Sequence, residues 1–116
     1  MTKLEFVLND RKVLAAESEG FDVLAYYEDL NKPGTSFIPV GDRVLSKGMI
    51  QSILIEDTIN EPNVRVNFHN DLSADIYIQD YDSIETTNLL NNPKVAFSVL
   101  GNLITNRNAV RDIHKL

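Results

Sequence analysis

The sequence predicts a mainly β domain, and three observations lead there. Much of residues 3–79 reads in steps of two: Leu4, Phe6 and Leu8 share one side, as do Val64, Val66 and Phe68, with Glu5, Arg65 and Asn67 between them. That period belongs to a strand with one face against a core. Residues that accept a tight reversal recur between these runs, at Asn9-Asp10, Asn31-Lys32-Pro33-Gly34 and Asn60-Glu61-Pro62-Asn63. Only one segment, 82–92, carries both the start and stop signals of a helix.

Taken in order, Asn9-Asp10 predicts a hairpin turn before Val13 to Ala16. Gly20 breaks the chain ahead of a third strand, with Phe21, Val23, Ala25 and Tyr27 on one face. Phe37 to Val40 contains Pro39, which lacks an N–H and belongs at a sheet edge or a bulge. Residues 43–57 read two ways. Gly48 weakens a helix there and Ile53-Leu54-Ile55 suits a strand buried on both faces, so 49–57 is taken as a strand.

After the next turn, Val64, Val66 and Phe68 point inward with Arg65, Asn67 and His69 outward. Asn70 to Ser73 reverses the chain, and Ile76 and Ile78 alternate with Asp75, Tyr77 and Gln79. Asp82 and Glu85 then have capping-box spacing, and Pro93 stops the helix. Lys94 to Gly101 predicts a core strand with Val95, Phe97 and Val99 on one face. Thr105 to Leu116 predicts a short helix burying Val110 and Ile113. No internal repeat, low-complexity segment or linker is evident, so residues 1–116 read as one domain.

Composition limits the classes of function. The 116 residues include 43% apolar and 24% charged side chains, ordinary for a globular chain. The longest apolar runs are far too short to cross a bilayer, and charge appears by the fifth residue with no apolar signal region. With no cysteine there is no disulfide, thiolate metal site or cysteine nucleophile. These features lead to the expectation of a cytoplasmic protein with no membrane partner. The net charge of −6 is uneven. Residues 1–93 carry 16 acidic and 7 basic side chains, whereas residues 94–116 carry 1 and 4. A positive patch on an acidic body is the sharper reading of that tail, and a solvated surface segment the plainer one.

Catalytic chemistry finds little to work with. His69 and His114 are the only histidines and have no partner at metal-ligand spacing. The acidic stretch Asp71, Asp75, Asp80, Asp82, Glu85 lacks the glycine and ligand spacing of a calcium loop. Neither a glycine-rich phosphate loop nor a Gly-x-Ser-x-Gly turn is present. We therefore expect a non-enzymatic protein without metal or cofactor. Aromatic and basic residues on outward strand faces remain. Arg65, His69 and Tyr77 form one group, and Tyr81, Tyr26, Phe37 and Lys47 extend it. Flat rings under bases and cations along the backbone hold single-stranded nucleic acid in this way. The plainer account is that tyrosines favour strands, where they pack the ring and wet the hydroxyl.

Two stretches resemble known families. Asn88 to Phe97 is similar to the helix-to-strand passage of flavin-binding split barrels. Those proteins hold the flavin phosphate with basic or hydroxyl residues just upstream, where this chain has Asp80, Asp82 and Glu85. Carboxylates repel a phosphate, so no flavin is expected. The helix 82–92 followed by Pro93 to Leu103 and Thr105-Asn106-Arg107 resembles the fourth-strand region of OB-fold single-stranded-DNA-binding proteins. The size and asparagine-rich style also resemble the compact binding proteins of tailed phages of lactic-acid bacteria.

The resemblance implies a small closed or partly open barrel with one helix before the last core strand. It also implies sequence-independent binding of single-stranded DNA in phage replication or recombination. Arg65, His69, Tyr77, Tyr81, Tyr26, Lys47 and Arg107 would then hold the strand, with a homo-oligomer and phage replication or recombination proteins as partners. The alternative is a phage structural or adaptor protein that assembles through strand edges or apolar patches, which the acidic body favours. A third reading is an inhibitor whose acidic face mimics nucleic acid.

Overall fold

A computed structural model describes all residues, 1–116, and the chain is mainly β. Strands β1 (Thr2–Leu8) and β2 (Val13–Ser18) form a hairpin, followed by helix α1 (Val23–Asn31). A second hairpin, β3 (Phe37–Val40) and β4 (Arg43–Ser46), leads through a 3-10 turn into β5 (Ile50–Ile55). The same order then returns as β6 (Val64–Phe68), β7 (Ser73–Ile76), α2 (Ser83–Leu90), β8 (Phe97–Leu100), β9 (Leu103–Asn106), a 3-10 turn and β10 (Val110–Lys115).

The fold is thus duplicated, which corrects the expectation that the chain holds no repeat. Corresponding positions lie sixty residues apart throughout. Arg11 and Asp71 take positive φ in the first turn of each half, and Gly41 and Gly101 in the second. Identical residues recur at this spacing in only a few pairs, among them Asp22/Asp82, Leu30/Leu90, Asn31/Asn91, Pro33/Pro93, Phe37/Phe97 and Ile53/Ile113. Elsewhere the side chains have diverged and only the backbone plan persists.

Two other expectations change. Residues 21–27 are not a third strand. The Asp22 carboxylate accepts the Leu24 and Ala25 N–H groups, satisfying free donors at the start of α1. The helix then turns Val23, Tyr26 and Leu30 toward the core, a helical spacing hidden beneath the two-residue alternation. The tail is a strand, not a helix. β10 pairs antiparallel with β6, and a bulge between Val110 and Asp112 takes up one residue. Val110 therefore faces Phe68 while Ile113 faces Val66, and a three-residue spacing that suggested a helix comes from a bulged strand. The two α-helices are accordingly α1 and α2, and the tail supplies none.

No closed barrel forms. The strands make a five-stranded sheet β2-β1-β5-β9-β8, a three-stranded sheet β10-β6-β7 and the two-stranded hairpin β3-β4, all antiparallel. The halves interlock in the largest sheet, where β9 and β8 of the second half extend β5 of the first. Ser52 faces Thr105, Ile53 faces Ile104 and Leu54 faces Leu103. One core collects Leu4, Phe6, Leu30, Ile50, Ile53, Phe97 and Ile104. The other collects Val64, Val66, Phe68, Ile76, Leu100 and Leu103. Successive residues of β9 thus serve different cores, which is why this strand is closed to water on both faces.

Phe97 is 2% exposed, and its truncation to alanine is expected to cost about 3–5 kcal/mol in denaturant melts; a loss under about 1 kcal/mol contradicts its placement in the core. The two hairpin glycines separate strain from crowding. Both have positive φ, but a Cβ on Gly41 meets nothing within 4 Å while one on Gly101 would stand 1.9 Å from the Tyr77 carbonyl oxygen. Gly41→Ala should cost about 1–2 kcal/mol for the left-handed backbone alone. Gly101→Ala should cost clearly more, because the Tyr77 backbone must move. Equal losses in urea midpoint would contradict that close approach.

Candidate functional site

The seven residues expected to hold nucleic acid do not form one surface. Arg65 projects from β6 and its guanidinium donates to both oxygens of Asp75 across the hairpin, at 2.7 and 3.1 Å. That bond raises the Arg65 pKa and, with Asp75 held by the same hydrogen bond, depresses the carboxyl. Tyr77 lies beyond β7, beside a groove that also contains Lys3, Glu5, Glu56, Asp57 and Asp75. Four carboxylates against one ammonium make that groove repulsive to a phosphate backbone.

His69 sits elsewhere, exposed in the β6–β7 turn. It borders a cleft lined by Asn9, Gln51, Asn70, Asn106 and Asn108. Asn70 donates to Gln51 there at 2.6 Å, and Asn9 donates to the Gly48 carbonyl at 2.7 Å. The cleft offers neutral amides with His69 as its one titratable side chain. No group of three or more histidine, aspartate or glutamate side chains converges anywhere as a metal site.

Three of the remaining residues have internal duties. The Tyr26 ring packs against Phe21 and Phe6, with centroids 5.0 and 6.5 Å away. Burial, and secondarily the charge of Asp29, raises the Tyr26 hydroxyl pKa. Lys47 is buried and its ammonium donates to the Asp29 carbonyl and the Thr35 hydroxyl. Arg107, its counterpart in the second half, donates to the Leu90 carbonyl at 3.1 Å. Each cation thereby ties a 3-10 turn to the C-terminal end of its own helix, where free carbonyls concentrate negative charge. Tyr81 and Arg107 both line a groove between α2 and β10.

That groove is the most distinctive surface, and sequence reading did not locate it. It holds about 400 Å³ and is lined by Tyr81, Thr86, Leu90, Asn91, Arg107, Val110 and Ile113 among others. Its counterpart in the first half is filled. There the β8–β9 hairpin runs along β5, Phe97 shares a core with Leu30 and Ile53, and Asn31 secures the strand. The Asn31 amide donates to the Phe97 carbonyl at 3.0 Å, and its oxygen accepts the Ala96 and Phe97 N–H groups at 3.0 and 2.9 Å. In the second half nothing from β3 or β4 reaches the groove. Asn91 lines open space, α2 has no buried residue, and the outer edge of β10 is unpaired.

The complementary surface is the β3–β4 hairpin. β4 pairs only with β3, and on one face of this hairpin Phe37 of β3 and Val44 of β4 are 62% and 72% exposed. Their counterparts Phe97 and Ile104 are 2% and 0% exposed. The signal for this site was present as identical residues at a fixed spacing, but it becomes visible only once the duplication is seen. No family model, curated protein or solved structure matches the chain.

The ion pairs on the β6 sheet predict an acid-side effect. The Asp75 carboxyl is held low chiefly by the Arg65 hydrogen bond, and Asp112 by hydrogen bonds from Asn67 and Arg111. A carboxyl with a depressed folded pKa contributes stability above its unfolded value of about 4, lost as pH falls through the folded value. Urea melts below about pH 4 should therefore show falling stability, with a shallower slope in Asp75→Asn. An unchanged slope in that variant would mean that the Arg65–Asp75 contact does not persist in solution.

Proposed function

We propose that the chain is a non-enzymatic structural or adaptor protein that assembles with protein partners through strand edges. The observation that carries this reading is the exposed apolar face of the β3–β4 hairpin, Phe37 and Val44, on a hairpin whose β4 is an open sheet edge, as is β10. An open edge presents a row of N–H and C=O groups ready for another strand, and natural proteins usually blunt it with charge, proline or a cover. β4 carries a single charge, Arg43, beside Val44 and Leu45, whereas β10 carries Arg111, Asp112 and Lys115. The α2–β10 groove supplies an apolar floor beside the second edge. The acidic body agrees with a protein partner better than with a polyanion.

Single-stranded DNA is the second reading, favoured by one arrangement: Tyr81, Arg107 and Arg111 line the same groove. A ring for stacking and two guanidinium groups are the elements of a sequence-tolerant site. Competing contacts weigh against it, since Arg107 holds the Leu90 carbonyl and Arg111 pairs with Asp112 and Asp71.

A fluorescence titration of a labelled strand of about 30 nucleotides separates the two. The assembly reading expects no saturable binding even at low salt, where any cationic groove is strongest. Saturable binding that weakens with salt and is lost in Tyr81→Ala would overturn it in favour of DNA.

A further inference from the structure

We propose that the partner is a second copy of this chain, joined head to tail, with the β3–β4 hairpin of one copy seated in the α2–β10 groove of the next. This inference rests on the assembly reading and adds the partner, the surfaces and the register. The molecule contains the template for the contact, because its second hairpin already occupies the matching groove of its first half. What is joined once within the chain is present a second time, unjoined.

Four residues of the internal joint recur at the matching positions of the other half. Phe97 enters a core with Leu30 and Ile53 while Asn31 clasps the β8 backbone. Phe37, Leu90, Ile113 and Asn91 repeat all four identities at the same spacing, although most of the chain has diverged. In the first half the set is assembled, with Leu30 at 3% and Ile53 at 0% exposure. In the second half Leu90 and Ile113 remain partly exposed along an empty groove, and Phe37 stands exposed on β3 of the first half.

The edges agree as well. β9 uses one edge for β8 and the other for β5, and the free edge of β4 corresponds to the one that reaches β5. The free edge of β10 corresponds to the edge of β5 that receives it. Transposing the observed pairs Ser52–Thr105, Ile53–Ile104 and Leu54–Leu103 sets Asp112 opposite Leu45, Ile113 opposite Val44 and His114 opposite Arg43. One residue further, where the Ile55 N–H donates to the Asn102 carbonyl, Lys115 meets Asp42 with opposite charge. The Asn91 amide then bonds Phe37 of the neighbour as Asn31 bonds Phe97. Because plug and socket are different surfaces, a joined pair still has one free plug on one copy and one free socket on the other, and the contact propagates into a ring or a filament.

Sedimentation velocity of the full chain over a concentration series tests this with two variants at exposed positions. Phe37→Ala damages the plug and Asn91→Asp the socket, where a carboxylate would oppose the Phe37 carbonyl. Both should melt like the wild type. Wild type should associate beyond a dimer, and each variant alone should associate about 10-fold or more weakly. Mixed, the intact socket of Phe37→Ala accepts the intact plug of Asn91→Asp, giving a one-to-one dimer of wild-type affinity that grows no further. Wild type that stays monomeric at every concentration overturns the pairing. So does association that survives both variants, or a mixture that fails to complement. None of these outcomes produces oligonucleotide binding, which is the separate result that would overturn the assembly reading.

Discussion

The structure depends on the pairing of β5 with β9. β5 runs through the middle of the molecule, with Ile50, Gln51, Ser52 and Ile53 all buried. Its backbone amides and carbonyls have no water to turn to, and leaving such groups unpaired costs on the order of 1–3 kcal/mol each. β1 satisfies one edge and β9 the other. The Thr105 hydroxyl adds a bond to the Gln51 carbonyl at 3.1 Å. From this one ladder follow the placement of β8 against α1, the clasp by Asn31 and the division of β9 between two cores. The ladder also explains why the hairpins of the two halves differ: β8–β9 is held between partners, whereas β3–β4 is covered on one side only.

What was legible in the sequence was whatever depends on near neighbours. The first turn follows from Asn9-Asp10, the β6 face from Val64, Val66 and Phe68, and α2 from the Asp82 cap, whose carboxylate accepts the Ile84 and Glu85 N–H groups. The edge position of β3 follows from Pro39. The errors arose where local pattern and distant packing disagree. Phe21, Val23, Ala25 and Tyr27 alternate by chance, while the cap at Asp22 decides the conformation. The bulge in β10 converts two-residue alternation into a spacing of three.

The candidate site was less legible for a related reason. Exposure of an aromatic or basic residue depends on what lies above it. Tyr26, Lys47 and Arg107 resemble surface residues in sequence, yet each is occupied by contacts within its own half. Phe37 and Phe97 are identical residues before a glycine-turned hairpin, and only the presence of β5 beside one of them separates a core anchor from a solvent-facing ring. Duplication therefore generates two chemically similar surfaces whose fates are set by geometry rather than by composition.

The distance along the chain between β5 and its partner has a consequence during synthesis. Ser52 leaves the ribosome long before Thr105, which it faces in the finished sheet. At ordinary elongation rates that separation lasts roughly 3–10 s, far longer than a hairpin needs to form. β1, β2, α1 and β5 are therefore complete as a nascent unit while the inner edge of β5 is still open. Contacts of this sequence separation also slow folding, because a long loop must close before any of its pairing is gained. Until β9 arrives, the most buried strand of the native molecule is an exposed edge, and neighbouring chains on the same message carry the same strand.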